Sequence, residues 1–362
     1  MKYRVWAEIS TGKLEDNCRQ LIKKVGGSSQ MMIVCKANAY GHGDAIVLEV
    51  AKKVGVTRLG VGDSSEALSL RNLGWEHQIL VLGSLIDEEL MSVIEENIDI
   101  TVHSLSKLDF LDGLTQQLKK TLRVHLKIDT GMTRFGTGLS QISEMAKHIM
   151  KAPYLEWAGL STHFASPDNG EYSSQQLTKF KQVIEQLQPL PEGVDIHSSA
   201  TKAFLNQNNS RFDFIRCGLG VYGIDAQLSF EPVLSLYSQI IFIKDVPEGT
   251  SVGYNGDYTC KRATRLAIIP IGYFDGFRFV FANKSHILIK GQKALVRGRV
   301  SMDYTTVDIT DIADVQVGDK VTLIGQDQDE KITVSDWANW ADTTSYEITC
   351  LLGNRVKRVA IP

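Results

Sequence analysis

Lys36 closes an apolar run, Met31-Met32-Ile33-Val34-Cys35, and opens onto the loop Ala39-Tyr40-Gly41-His42-Gly43. A lysine drawn out of water loses proton affinity and becomes a usable amine, as Schiff-base formation with an aldehyde requires. A second feature lies far downstream, where Arg216-Cys217-Gly218-Leu219-Gly220 follows another apolar run. Glycines at such a turn let backbone N–H groups approach a phosphate. Together an amine and a phosphate cradle match the aldehyde and the phosphate of pyridoxal phosphate (PLP). Each also has a plainer reading, as a surface lysine just past a strand and as an ordinary glycine turn.

The elements that must position these groups are legible as periodic runs. Eight apolar stretches read as strands: Met31–Cys35, Arg58–Gly62, Gln78–Leu82, Ile98–Val102, Leu122–Ile128, Leu155–Thr162, Val194–His197 and Phe212–Arg216. Between most of them lie segments of helical period, such as Leu14–Val25, with Leu14, Cys18, Leu21, Ile22 and Val25 on one face. Repeated β-then-α units imply a parallel sheet, and eight of them favour a closed (β/α)8 barrel over an open sheet. The open nucleotide-binding alternative expects G-x-G-x-x-G after its first strand, and Lys36-Ala37-Asn38-Ala39-Tyr40-Gly41 is not that. In a barrel the working groups sit at the strands' C-terminal ends. There the chain places Lys36, Asp63, Gly83, His103, Lys127 with Asp129, His163, His197 and Arg216. Any one of these could merely mark where a strand leaves the core, but the ring of them points to a site.

After Glu231 the texture changes to strand-like runs divided by turns, with one short helical candidate near Val334–Trp340. The fold class expected is therefore α/β, with an N-terminal (β/α)8 TIM-like barrel over 9–231 and a mostly-β domain over 232–362. Residues 1–8 are expected to pair with the second domain. A net charge of −3 argues against a nucleic-acid or anionic-membrane partner, which usually meets a basic face. Five cysteines without C-x-x-C spacing suggest neither a disulfide framework nor a metal site. No apolar run reaches the ~18 residues of a membrane span, and the start of the chain lacks a signal-peptide core. A soluble, cytoplasmic protein is expected.

Val34-Cys35-Lys36-Ala37-Asn38-Ala39-Tyr40-Gly41-His42-Gly43 resembles the PLP-attachment signature of the alanine racemases. Further stretches resemble that family in the same order along nearly the whole chain. They are Leu126–Gly136, Thr162–Ala165, Arg216–Gly218, Ser251–Tyr254, Gly272–Gly276, Gly298–Asp303 and Ser345–Glu347. The resemblance implies a head-to-tail homodimer with shared active sites and a small amino acid as substrate. It implies that Lys36 holds PLP and that Tyr254 of the partner subunit is the second acid/base. It places Arg216 on the pyridine nitrogen, with His163 supporting it, and Tyr40, Thr201, Gly218, Leu219 and Tyr346 around the phosphate. Arg134 and the backbone of Met302 would receive the substrate carboxylate. Lys127 matches a lysine that is often carbamylated and then orients the arginine, and Asp303 shapes the substrate site; apart from the resemblance, Tyr273 reads either as plain packing or as a residue that the Gly-Tyr-x-Asp-Gly turn brings near the site entrance. The chain departs from the family pattern at Ala200-Thr201, where Asn-Ser is usual, at Ser301 in place of cysteine and at Asn38 in place of aspartate.

Racemisation removes a Cα proton from one face and returns one to the other, so two opposed acid/base groups suffice. A free tyrosine has a pKa of about 10 and needs positive charge nearby to serve near neutral pH. Arg134 is the expected source. A carbamylated Lys127 would be an anion able to fix Arg134; the sequence equally allows an ordinary Lys127–Asp129 pair. His163 and His197 read as supporting groups, and His42 as a hydrogen-bonding loop residue. Alternatives are a racemase for serine or for several small amino acids, a decarboxylase of the same architecture, and a non-catalytic PLP carrier. The decarboxylases carry a C-terminal cysteine-glycine motif that is absent around Cys260 and Cys350.

Overall fold

A computed structural model describes residues 3–206 and 210–362. The chain forms two compact units. One comprises Glu15–Ala39 and Val47–Val221, the other Met1–Leu14, Tyr40–Ile46 and Tyr222–Pro362.

Strand β1 (Val5–Ser10) belongs to the second unit. The first unit is built on β2 (Met31–Val34), β3 (Arg58–Val61), β4 (Gln78–Val81), β5 (Asp99–Val102), β6 (Leu122–Lys127), β7 (Leu155–Ser161), β8 (Asp195–His197) and β9 (Ile215–Cys217). All eight are parallel, in the order β8-β7-β6-β5-β4-β3-β2-β9. The remaining seam between β8 and β9 is narrowed by a parallel bridge, Ala200 to Arg216, and by the Asp213 N–H donating to Ile196 O at 2.9 Å. The α/β barrel expected from the sequence is therefore the observed one.

Physical reasons for these elements are local. Strands β2 and β5 are buried at every position, as strands covered on both sides must be. The helix Ile142–Lys151 buries Ile142, Met145, Ala146 and Ile149, one face of a 3.6-residue period. Asp63, Ser104 and Asn169 cap the helices that follow them, each side chain accepting a backbone N–H two or three residues into the first turn. The polar Asp63 singled out at a strand end is thus a cap. The helix Leu105–Leu118 was not marked in the sequence.

The second unit holds a mixed sheet. Its order is Phe242–Val246, Thr264–Ile269, Thr305–Asp308, Gln292–Val296, His286–Ile289, Lys320–Asp327, β10 (Leu234–Gln239), β1 and Lys357–Ile361. Strand β1 runs antiparallel to β10 and parallel to Lys357–Ile361. The apolar run Val233–Ile243 holds parts of two strands, one ending at Gln239 and the next starting at Phe242. Besides Val334–Ala341 a second helix forms at Ser345–Cys350, so the expectation of one helix is corrected. Phe277, Phe281 and Trp337 pack edge to face in the core, with ring centres 5.0–5.1 Å apart. All five cysteines are free, and no helix among the described residues is long and apolar enough to cross a membrane.

Candidate active site

At the C-terminal ends of the barrel strands, Lys36, Lys127, Arg134, His163 and Arg216 lie close enough to perturb one another's charge. Lys36 follows the buried strand β2 but is itself exposed. The desolvated lysine of the barrel mouth is Lys127, which corrects the expectation for Lys36. Burial, helped by Arg216, Arg134 and Lys36, pulls the Lys127 ammonium down to about 7. Among the described residues Lys127 makes no ion pair, so the Lys127–Asp129 pair that the sequence allowed does not form. Asp129 instead accepts the N–H groups of Gly131 (2.9 Å) and Thr133 (3.0 Å), turning the loop that carries exposed Arg134.

After Lys36 the backbone does something the sequence did not announce. Ala37, Asn38, Ala39 and Tyr40 all have φ of 53–54°, a full left-handed turn. Such a turn costs roughly 1–2 kcal/mol per residue, so its surroundings must enforce it. Glu66 clamps its start: the carboxylate accepts the Ala37 N–H at 2.5 Å and the Gly62 N–H at 2.7 Å. Glu66 was missed because a glutamate in the first turn of a helix is ordinary; its spacing from Asp63 marks only the cap.

Arg216 is buried on β9. Its Nη1 donates to His197 Nδ1 at 2.6 Å. Its Nη2 donates to the carbonyls of Thr162 (2.8 Å) and Ser198 (2.7 Å) and to His163 Nδ1 at 3.1 Å. Burial lowers its guanidinium to about 10, still cationic near neutral pH. Burial, then the adjacent Arg216, holds His163 and His197 well below the usual imidazole range, so both are neutral acceptors. The two histidines accordingly serve Arg216, in keeping with a supporting role.

Thr201, fully buried, accepts the Gly218 N–H at 3.2 Å, while the Leu219 N–H has no acceptor among the described residues. The donor set fits the expected cofactor. It offers an exposed primary amine, a buried hydroxyl beside the Leu219 N–H, which has no acceptor among the described residues, and a buried arginine whose Nε donates to no described residue. That last donor suits a neutral ring nitrogen.

The remaining candidates lie in the second unit. Tyr40 packs 5.1 Å from the Tyr222 ring, and His42 stacks on Tyr222 and hydrogen-bonds Tyr40 O at 2.9 Å. His42 is thus the loop hydrogen-bonder expected. Tyr254 stands on the turn between the paired strands Ser251–Val252 and Tyr258–Thr259 and is 70% exposed. Gly298 allows the close approach behind it, since a Cβ there would meet Val252 O at 2.5 Å. The Tyr273 and Phe274 N–H groups donate to Ser301 O (3.0 Å) and Met302 O (3.2 Å), which joins two of the sequence motifs. The Met302 N–H donates to no described residue. Asp303 pairs with Arg355 at 2.7 Å, and Arg355 also grips buried Asp275. Tyr346 is partly exposed on the helix Ser345–Cys350.

Two family models match the chain: "Alanine racemase, N-terminal domain" over residues 9–226 and "Alanine racemase, C-terminal domain" over 233–360. An alanine racemase of Methanococcus maripaludis is 34% identical, with 99% of each chain covered. The solved alanine racemase of Bacillus anthracis with bound L-Ala-P superposes with a TM-score of 0.94 at 29% identity, covering 100% of this chain and 96% of that one. A histidine racemase of Leuconostoc mesenteroides reaches 0.90 at 26% identity, covering 100% and 99%.

Proposed function

Because the chain belongs to the alanine racemase family and is an amino-acid racemase, we propose that it interconverts L- and D-alanine between two bases. Lys36 serves one face of the substrate and Tyr254 of the partner subunit the other, within a homodimer whose active sites are shared. The observation that carries this reading is the barrel mouth itself: an exposed amine, Lys36, beside a buried, fully supported Arg216 with one donor to spare.

The residues suit PLP, which when bound withdraws electrons from Cα and so acidifies its proton. Lys36 would anchor it, and its amine would accept or return that proton on one face of the substrate. With PLP bound, Arg216 would offer its Nε–H to the ring nitrogen, and a guanidinium that keeps its proton would leave that nitrogen unprotonated. Electron withdrawal is then moderated, which disfavours side reactions such as transamination. Thr201, the Gly218 and Leu219 amides, Tyr40 and Tyr346 hold the phosphate. Arg134 and the Met302 N–H receive the substrate carboxylate, with Asp303 and Tyr273 shaping the pocket and its entrance. Arg134 also supplies positive charge to the Tyr254 phenol.

Lys127, neutral in large part near pH 7, attacks carbon dioxide: the N–C bond forms, a proton leaves, and the resulting carbamate anion orients Arg134. A racemase for serine or for a broader set of small amino acids is the alternative. The likeness to a histidine racemase supports assaying a panel.

Two measurements test the proposal. The purified protein should carry an absorbance band that borohydride bleaches and Lys36→Ala abolishes. Tyr254→Phe should retain α-deuterium exchange from one alanine enantiomer and lose it from the other. Equal loss from both would count against two opposed bases.

A further inference from the structure

Behind Arg216 a chain of polar groups crosses the barrel interior. His197 Nε2 lies 3.1 Å from His125 Nδ1, and His125 Nε2 lies 3.3 Å from Asp99 Oδ2. Asp99 opens β5, at the opposite end of the barrel from Arg216's cofactor-facing side. There it accepts from Gln78 Nε2 at 2.7 Å and pairs with Arg123 Nε at 3.2 Å. His125, His197 and Asp99 are all buried. Barrel interiors favour aliphatic side chains, so two imidazoles and a carboxylate in file need a reason.

The hydrogen-bond direction follows from the ends. Arg216 can only donate, so His197 Nδ1 must accept and the His197 proton sits on Nε2. That proton makes His125 Nδ1 an acceptor, which places the His125 proton on Nε2, aimed at the Asp99 carboxylate. A doubly protonated His125 would push an N–H against the N–H of His197 and is ruled out. Asp99 faces three donors, His125 Nε2, Gln78 Nε2 and the Arg123 guanidinium, an environment that favours the ionised carboxylate as acceptor. An ionised acceptor at one end and an obligate donor at the other leave one arrangement of protons.

The backbone is shaped around His125. Between Val124 and His125 the β6–β7 register shifts, so β7 carries one extra residue, Ala158. Bulges of this kind re-aim a side chain. Opposite stands Gly159, where a Cβ would lie 2.1 Å from His125 Nδ1. Phe214 stacks on His197 at 4.3 Å and fixes its plane.

We propose that Asp99 and His125 are positioning residues for Arg216. They hold His197 in place in the one tautomer that can accept from Arg216, and through it would hold the guanidinium so that Nε meets the cofactor's ring nitrogen. This rests on the reading of Arg216 given above.

The test uses the full-length holoenzyme, with 15N-labelled histidine and, separately, with PLP labelled at its ring nitrogen. In the unaltered protein the nitrogen shifts of His125 and His197 should report neutral rings protonated on Nε2. Asp99→Asn places an amide N–H among donors from Gln78, Arg123 and His125. One of them must turn away, so the His197 tautomer signal and the ring-nitrogen signal should both move. kcat should fall at least about tenfold, with KM for alanine less affected. A His197 protonated on Nδ1 in the unaltered protein overturns the proposal even if Asp99→Asn folds poorly. So does an Asp99→Asn enzyme that loses only thermal stability and keeps both signals. Arg216→Lys separates the two levels. If it moves the ring-nitrogen signal and Asp99→Asn does not, only the relay fails. If neither variant moves it, the role assigned to Arg216 fails and takes the relay with it.

Discussion

Lys127 bears the heaviest electrostatic load of any lysine at the barrel mouth, facing Arg216, Arg134 and Lys36 from a buried position. An ordinary lysine titrates near 10.4. With its folded value near 7, the unfolded chain holds the extra proton through the window between the two. Stability should therefore rise with pH from about 7 to about 10 and be lowest below it. In carbon-dioxide-free buffer, Lys127→Gln should flatten that rise, seen as urea midpoints that no longer climb with pH. With bicarbonate present, intact mass spectrometry near neutral pH should find one carbon dioxide added to the parent protein, lost on acidification and absent from Lys127→Gln. A parent protein that takes up none would leave Arg134 without its proposed anchor. At this scale the residue types were legible and their environments were not. The motif around Lys36 marked a candidate amine, but burial fell on Lys127, because which strand-end side chain turns inward is decided by packing.

Among the elements, the strands and most helices followed from periodicity, since apolar runs of barrel length have one place to go. What escaped were local departures from regular geometry. The turn Ala37–Tyr40 is left-handed although none of its residues is glycine, and no propensity foretells four such residues in a row. The helix Leu105–Leu118 escaped because its apolar positions are interleaved with serine, aspartate and glycine. Strand Lys357–Ile361 escaped because two charged residues open its five, leaving too short an apolar run to mark a strand at a sheet edge. The bulge at Ala158 escaped because an extra residue in a strand has no sequence signature. Its consequence is measurable. Gly159→Ala would ordinarily help a strand, since glycine weakens one. Here the methyl would meet the His125 ring, and overpacking of this kind costs about 1–3 kcal/mol. The variant should lower the urea midpoint and shift the His125 nitrogen signals; a more stable Gly159→Ala protein would mean that the ring has room to move.

On the scale of the whole molecule, the barrel supplies the amine, and the β-rich unit carries Tyr254 on an exposed turn. Tyr273, Phe274, Phe279, Met302 and Tyr304 of that unit are also between 45 and 56% exposed. A contiguous patch of such groups would be a surface for a partner. If Tyr254 works in the other subunit's barrel, a chain lacking Lys36 and a chain lacking Tyr254 should repair each other. Equal amounts of Lys36→Ala and Tyr254→Phe chains, refolded together, would give half heterodimers. Each heterodimer holds one site with both defects and one with neither, because a two-fold assembly pairs the Lys36 of one chain with the Tyr254 of the other. About a quarter of all sites should then be intact, and the mixture should recover roughly that share of parental racemisation, while either variant alone stays near zero. Mixing the two folded homodimers without subunit exchange should recover nothing. A refolded mixture as inactive as its components would instead assign both groups to the same chain, and the exposed turn of Tyr254 would then require another purpose.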